Sequence, residues 1–154
     1  MLIEVKVKVV RVIDNKTRKR TETYLINKEL FSEAEYTVMS GLTQETELGT
    51  VEGFEIQSLR ISPIKEVAEQ FISESSINTY IATLKDIWLA DDGTEKNLKY
   101  KVLLWAEDLT QANANAHKLA REGYDMQIEG IKQVDYEYLV EQSNQEEETE
   151  SESQ

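Results

Sequence analysis

An α+β fold made of two copies of a β-β-α-β unit is what the sequence predicts, and three observations carry that expectation. Apolar and charged residues alternate with a period of two from Ile3 to Val9, the signature of a strand with one buried face. Tyr24-Leu25-Ile26-Asn27-Lys28-Glu29-Leu30-Phe31-Ser32-Glu33-Ala34-Glu35 reads as a strand running through a short loop into a capped helix, and Val102-Leu103-Leu104-Trp105-Ala106-Glu107-Asp108-Leu109-Thr110-Gln111-Ala112-Asn113 repeats it. The offset is constant: Asp14-Asn15 and Asp92-Gly93 stand 78 residues apart, and so do Ser32 and Thr110.

The first unit begins with that alternating strand, whose pattern stutters at Val9-Val10 and so predicts a β-bulge nearby. Asp14-Asn15-Lys16 supplies turn chemistry, because Asp and Asn tolerate positive φ, and a second strand returns over residues 18–26. Ser32 and Glu35 form the spacing of a capping box, with Phe31 and Tyr36 as a hydrophobic staple, which predicts a helix from Glu33. Ala34, Val38 and Leu42 make its apolar stripe and Gly41 offers a C-terminal cap. Residues 43–50 are polar and read as a loop, and 54–61 as a third strand with a stutter at Ser58.

Ser62-Pro63 predicts a linker helix over residues 62–76, with Ile64, Val67, Ala68 and Phe71 on one side. From Ile77 the unit repeats: a strand to Leu89, the turn at Asp91-Asp92-Gly93, a strand over 98–106, a helix over 111–122 ended by Gly123, and a strand at Met126-Gln127-Ile128-Glu129-Gly130-Ile131. The division is thus 1–61 for the first unit, 62–76 for the linker helix, 77–140 for the second unit and 141–154 for an acidic tail too polar to bury a core. One continuous mixed or antiparallel sheet with helices packed on one face is favoured over two small sheets, since a three-stranded unit is a marginal domain alone.

A chain of 154 residues can bury roughly two thirds of its unfolded surface without a disulfide or metal staple. There is no cysteine, which excludes disulfides, thiolate catalysis and cysteine-ligated metals, and a reducing cytoplasm fits best. The N-terminus alternates apolar and charged residues instead of showing the pattern of a signal peptide, and no run approaches the ~20 apolar residues that span a bilayer, so a soluble protein without membrane contact is expected. The net charge of −13 is unevenly spread. Residues 1–20 hold seven Lys or Arg against Glu4 and Asp14, a local excess of +5, whereas six glutamates and no basic residue follow from Glu141 onward.

Tyr24-Leu25-Ile26 leading into Phe31-Ser32-Glu33-Ala34-Glu35, then Leu103-Leu104-Trp105-Ala106-Glu107-Asp108-Leu109 with Ala112, and Tyr124-Asp125-Met126-Gln127-Ile128, resemble a family of small proteins from Bacteroides-type bacteria and their phages. That family is catalogued as domain of unknown function 4494, and the resemblance spans residues 2 to about 140. The chain departs from the family pattern at Asn78-Thr79-Tyr80-Ile81 and in its glutamate tail. The resemblance implies a bacterial or phage origin and a cytoplasmic location, and no activity, cofactor or catalytic residue.

Motifs for catalysis are absent from the sequence. His117 is the single histidine, without the convergent partners that a base or ligand requires. Asp91-Asp92-Gly93-Thr94-Glu95 lacks the alternating oxygen ligands of a calcium loop and reads as a hairpin turn, and Glu29, Glu107 and Asp108 precede helices, where the dipole favours them. The expectation is a non-enzymatic binding protein with no cofactor and no metal. Lys6 and Lys8 project opposite the valines of the first strand, Arg11, Arg18 and Arg20 extend the basic hairpin, and Lys99, Lys101 and Trp105 share one face in the second unit. Cations for phosphate and a ring for base stacking are what a single-stranded nucleic-acid platform needs, with the acidic tail as a regulator. The alternative is an adaptor or inhibitor that engages a protein partner through the sheet face or the acidic surface, or a homodimer that covers the face with a second subunit.

Overall fold

The structure is a computed structural model that describes residues 1–42 and 50–139. Eight strands form two four-stranded sheets, ordered β3-β1-β2-β8 and β4-β6-β5-β7, where a single continuous sheet was the favoured expectation. The first contains β1 (Leu2–Ile13), β2 (Lys16–Asn27), β3 (Thr50–Ile61) and β8 (Tyr136–Leu139) with helix α1 (Phe31–Leu42). The second contains β4 (Ile64–Val67), β5 (Asn78–Leu89), β6 (Glu95–Ala106) and β7 (Asp125–Val134) with helix α2 (Leu109–His117). The expected tail from residue 141 and the expected loop at 43–49 lie outside the described residues.

In the first unit, β1 and β2 form a hairpin in unbroken antiparallel register from Ile13 opposite Lys16 to Leu2 opposite Asn27. Its two-residue turn holds Asp14 at φ 51° and Asn15 at φ 63°, the left-handed pair that matches the twist of a tight hairpin. Ile3, Val5, Val7, Val9, Tyr24 and Ile26 pack under Ala34, Val38 and Leu42 of α1, so the predicted apolar stripe is the one that meets the sheet. The helix begins at Phe31, two residues before the expected start, and runs through Gly41. No bulge interrupts β1 against β2. The register shifts fall between β1 and β3, where Gln57 and Glu52 of β3 are the extra residues opposite Lys6/Val7 and Val10/Arg11. The stutter at Val9-Val10 thus lies beside one of the two shifts, with the extra residue on β3 and not on β1.

In the second unit, Ala112 and Ala116 of α2 lie against Tyr80, Ala82, Leu84, Tyr100, Val102, Leu104 and Ala106. The small residues let the helix approach the sheet closely. Asp108, not Thr110, caps this helix: its carboxylate accepts from the Gln111 amide at 2.8 Å, and the Gln111 side chain accepts from the Glu107 amide at 2.6 Å. The helix stops at His117, short of the expected Glu122, and the chain turns through Gly123 at φ 84°. Within α2 the buried Asn115 side chain donates to the Trp105 carbonyl at 2.9 Å, which ties the helix to the end of β6.

Residues 62–76 do not form the expected linker helix. They give β4 followed by a single 3-10 turn at Glu69–Phe71. Ile64 and Ala68 are buried and Phe71 packs against the second core, as apolar residues should, but the backbone is satisfied by pairing parallel to β6, from Ile64 opposite Lys101 to Val67 opposite Leu103. The Ala68 amide extends this by donating to the Leu103 carbonyl at 2.8 Å. The unpaired side of β6 offers long-range hydrogen bonds that local helix spacing does not anticipate. Strand β8 does the same for β2, also parallel, from Thr23 opposite Tyr136 to Ile26 opposite Leu139. The compact units accordingly comprise Met1–Ile61 with the segment from Tyr136, and Ser62–Asp135. Among the described residues no helix is long and apolar enough to cross a membrane.

Candidate functional site

The eight residues expected to form one basic surface are distributed over three places. Lys6 and Lys8 project from the second face of the first sheet, opposite the buried valines, as the alternation predicts. Arg11, Arg18 and Arg20 do not join them. Arg11 and Arg18 pair across the hairpin, and Arg20 is opposite Val9, so all three share the helix-side face with the valines.

Arg11 is 3% exposed and is committed to a buried ion pair. Its Nε donates to Glu22 Oε2 at 2.7 Å and its Nη2 to Glu22 Oε1 at 2.8 Å, while Arg20 Nε stands 3.0 Å from the same carboxylate. The Tyr24 hydroxyl also donates to Glu22. The bond to Glu22 raises the Arg11 guanidinium above its ordinary value although burial opposes it. Burial resists ionisation of Glu22, but the bonds from Arg11 and Tyr24 and the charges of Arg11 and Arg20 hold its carboxyl below the ordinary range. These groups are structural. They cannot be given up to phosphate without stranding Glu22.

Lys99, Lys101 and Trp105 lie on the second face of β6, as expected, with Tyr100, Val102 and Leu104 buried on the other. This face is not an open platform. Lys99 Nζ pairs with Glu129 at 3.1 Å, Trp105 is half-buried, and Leu103 between them is 0% exposed within the single chain. No second subunit is needed to cover Leu103. His117 is exposed in the last turn of α2. Asp92 accepts from the Thr94 amide at 3.0 Å and its hydroxyl at 2.6 Å, which makes Asp91-Asp92-Gly93 a hairpin turn. Among the described residues no three His, Asp or Glu side chains gather in a way that would hold a metal ion.

A concave site does exist on the first sheet, around one of the predicted lysines. Lys8, Val10, Lys19, Gly53, Phe54 and Glu55 line a hollow of about 340 Å³. The registers explain it: Val10 stands opposite both Lys19 and Gly53, and Lys8 opposite Glu55. Gly53 contributes no side chain to the second face, so the hollow opens where a side chain would otherwise stand. Lys8, Lys19 and Glu55 are exposed, and none of the three has a hydrogen bond or ion pair among the described residues. Lys19 was within reach of sequence reasoning, since a two-residue turn at Asp14-Asn15 fixes its position opposite Val10. Gly53 and Glu55 were not, because two bulges in β3 shift the pairing that brings them there.

With this geometry in view, comparison with known proteins adds one result. The family described as a domain of unknown function, DUF4494, has a model that matches residues 1–142. The chain belongs to this family. Family membership carries no activity to the hollow or to any other site. No curated protein and no solved structure matches the chain.

Proposed function

We propose that the protein is a non-enzymatic binding protein that holds single-stranded nucleic acid along the second face of its first hairpin. One observation carries this reading. Arg11, Arg20, Arg60 and Lys99 are paired with carboxylates, whereas Lys6, Lys8 and Lys19 are exposed and uncommitted among the described residues, and two of them border the hollow. Uncommitted cations beside a partly apolar concavity suit a flexible polyanion whose bases need a surface to lie on. The Lys99, Lys101 and Trp105 face of the second unit is left outside this proposal, because Lys99 is paired with Glu129 and Trp105 is half-buried.

The tail fits this reading as a competitor for the same cations. Strand β8 ends at Leu139 beside Ile26, seven residues along β2 from Lys19, or roughly 23 Å at strand spacing. The residues from 140 to 154 span up to about 50 Å when extended and carry six glutamates, so the sequence permits the tail to reach the hollow. We read the two units as products of a tandem duplication in a bacterial or phage protein of the cytoplasm. The common strand arrangement supports the duplication, and so does the recurrence of a bulge at Gln57 of β3 and Glu129 of β7, 72 residues apart.

The test is a titration of labelled single-stranded DNA of mixed sequence with the full chain and with a chain ending at Val140. Three phosphate contacts predict a roughly 20-fold loss of affinity between 50 and 200 mM salt, and tighter binding without the tail. Lys8→Ala with Lys19→Ala should lower the salt slope by about 1.4. Absence of binding by the shortened chain at low salt overturns the proposal.

A further inference from the structure

We infer that the hollow over Gly53 is a base-reading subsite that takes one nucleotide of the bound strand and favours guanine through Glu55. The inference rests on the nucleic-acid reading above and adds a specificity to it. The hollow's volume of about 340 Å³ lies at the lower end of the range for small-ligand sites. Its charge is mixed in a way that plain phosphate binding does not require. Two ammonium groups, Lys8 and Lys19, flank an exposed carboxylate, Glu55, that stands opposite Lys8 in the strand register yet forms no ion pair with it.

An ionised carboxylate only accepts hydrogen bonds, and its two oxygens can receive two parallel donors. Guanine presents such a pair in N1–H and N2–H. Cytosine and adenine present one exocyclic amine. Thymine and uracil present N3–H between two carbonyl oxygens, which face the carboxylate unfavourably. Val10 supplies an apolar side chain against which a base can rest, Phe54 borders the hollow from a position opposite Val9 with its ring packed toward the helix-side core, and the lysines remain for the adjoining phosphates. Glu55 is therefore placed to discriminate between bases, whereas the lysines are placed to bind any strand.

Gly53 makes the inference testable without damage to the fold, because a Cβ added there meets no atom within 4 Å. The experiment compares an eleven-residue thymidine oligonucleotide with the same strand carrying one central guanine, by fluorescence anisotropy on the chain ending at Val140 at low salt. The guanine strand should bind about 5- to 10-fold more tightly, in the range of a partly solvated bidentate contact. Glu55→Gln should abolish that increment while thymidine binding stays equal or tightens, since a negative charge is removed. Gly53→Val should abolish it by filling the hollow, with the thermal melt unchanged. Equal binding of the two strands by the natural sequence overturns the subsite and leaves the general proposal standing, as does a guanine increment that survives both variants. No binding of either strand overturns both.

Discussion

The Tyr100 hydroxyl donates to Asp86 Oδ2 at 3.1 Å, in the helix-side layer of the second unit, and Asp86 is 1% exposed. Arg121 closes over this pair, with its Nε 3.6 Å from the same oxygen and its guanidinium 5.0 Å from the centre of the Tyr100 ring. Arg121 is itself held by Glu66 of β4. The other carboxylate oxygen, Oδ1, has no hydrogen-bond partner among the described residues. A buried carboxylate with one unsatisfied oxygen depends heavily on the bonds it does have.

Removing the hydroxyl with Tyr100→Phe should consequently cost roughly 1–3 kcal/mol, although the ring remains and the change is nearly isosteric. Urea unfolding followed by tryptophan fluorescence measures it. A shift below about 0.3 kcal/mol would show that Asp86 does not rely on this bond.

Alkaline pH should act on the same group. Burial pushes the Tyr100 phenol up to about 12, with the charge of Asp86 and the bond to it acting in the same direction and Arg121 against. Because the folded value lies above the ordinary value of 10.0, the stabilisation is complete below pH 10 and is lost as pH rises toward 12. Two pKa units correspond to roughly 3 kcal/mol. Tyr24 moves the same way, chiefly through burial and then its bond to Glu22. Unfolding midpoints at pH 9, 10 and 11 should fall progressively, and Tyr100→Phe should flatten part of the slope.

The Arg11 and Glu22 pair predicts an asymmetry between single and double variants. Glu22→Ala leaves the buried Arg11 side chain, 4% exposed, without its carboxylate and should cost roughly 3–5 kcal/mol. Arg11→Met with Glu22→Leu removes both charges and should recover most of that loss. Glu22 has a depressed carboxyl, so its contribution is present above the ordinary value of 4.5 and disappears as pH falls through the folded one. Thermal melts of the three chains, natural, Glu22→Ala and double variant, at pH 7 and pH 3 test both statements.

A chain ended at Asp135 should behave differently from one ended at Val140. The longer retains β8 and the shorter leaves β2 with an unpaired edge beside Leu25 and Ile26. Exposed strand edges recruit other chains. Size-exclusion chromatography should show the shorter chain associating at concentrations where the longer remains dispersed, and equal profiles would mean that β8 does not protect the edge.

Much of the architecture was legible in local pattern. The valines of β1, the turn at Asp14-Asn15 and the stripe of Ala34, Val38 and Leu42 lie where periodicity and turn chemistry put them. Legibility failed where distant backbone decided the outcome. Ile64, Val67 and Ala68 satisfy a helical spacing and a short strand equally well, and the free side of β6 selects the strand. The candidate site failed for a related reason. Arg11 and Lys8 look alike as members of a basic hairpin, yet alternate positions assign them to opposite faces, and burial of Glu22 commits Arg11 to structure. The partnership of Glu4 with Arg60, 56 residues apart and joined by two contacts of 3.1 Å, had no local signal at all.

The exchange of short strands has a consequence for synthesis. As the chain emerges from the ribosome, residues 1–61 can pair β1, β2 and β3, but the fourth strand of that sheet is not made until residues 136–139 appear. Meanwhile β4, already outside, waits for β6. The first sheet thus spends the translation of some seventy further residues, 62–135, with one edge unfinished, and its completion depends on a contact more than a hundred residues apart in sequence. Such separation predicts slow folding for a chain of this size. The dependence runs one way: residues 62–135 carry all four strands of their own sheet, whereas the last described strand to be synthesised completes the sheet begun by the first residues.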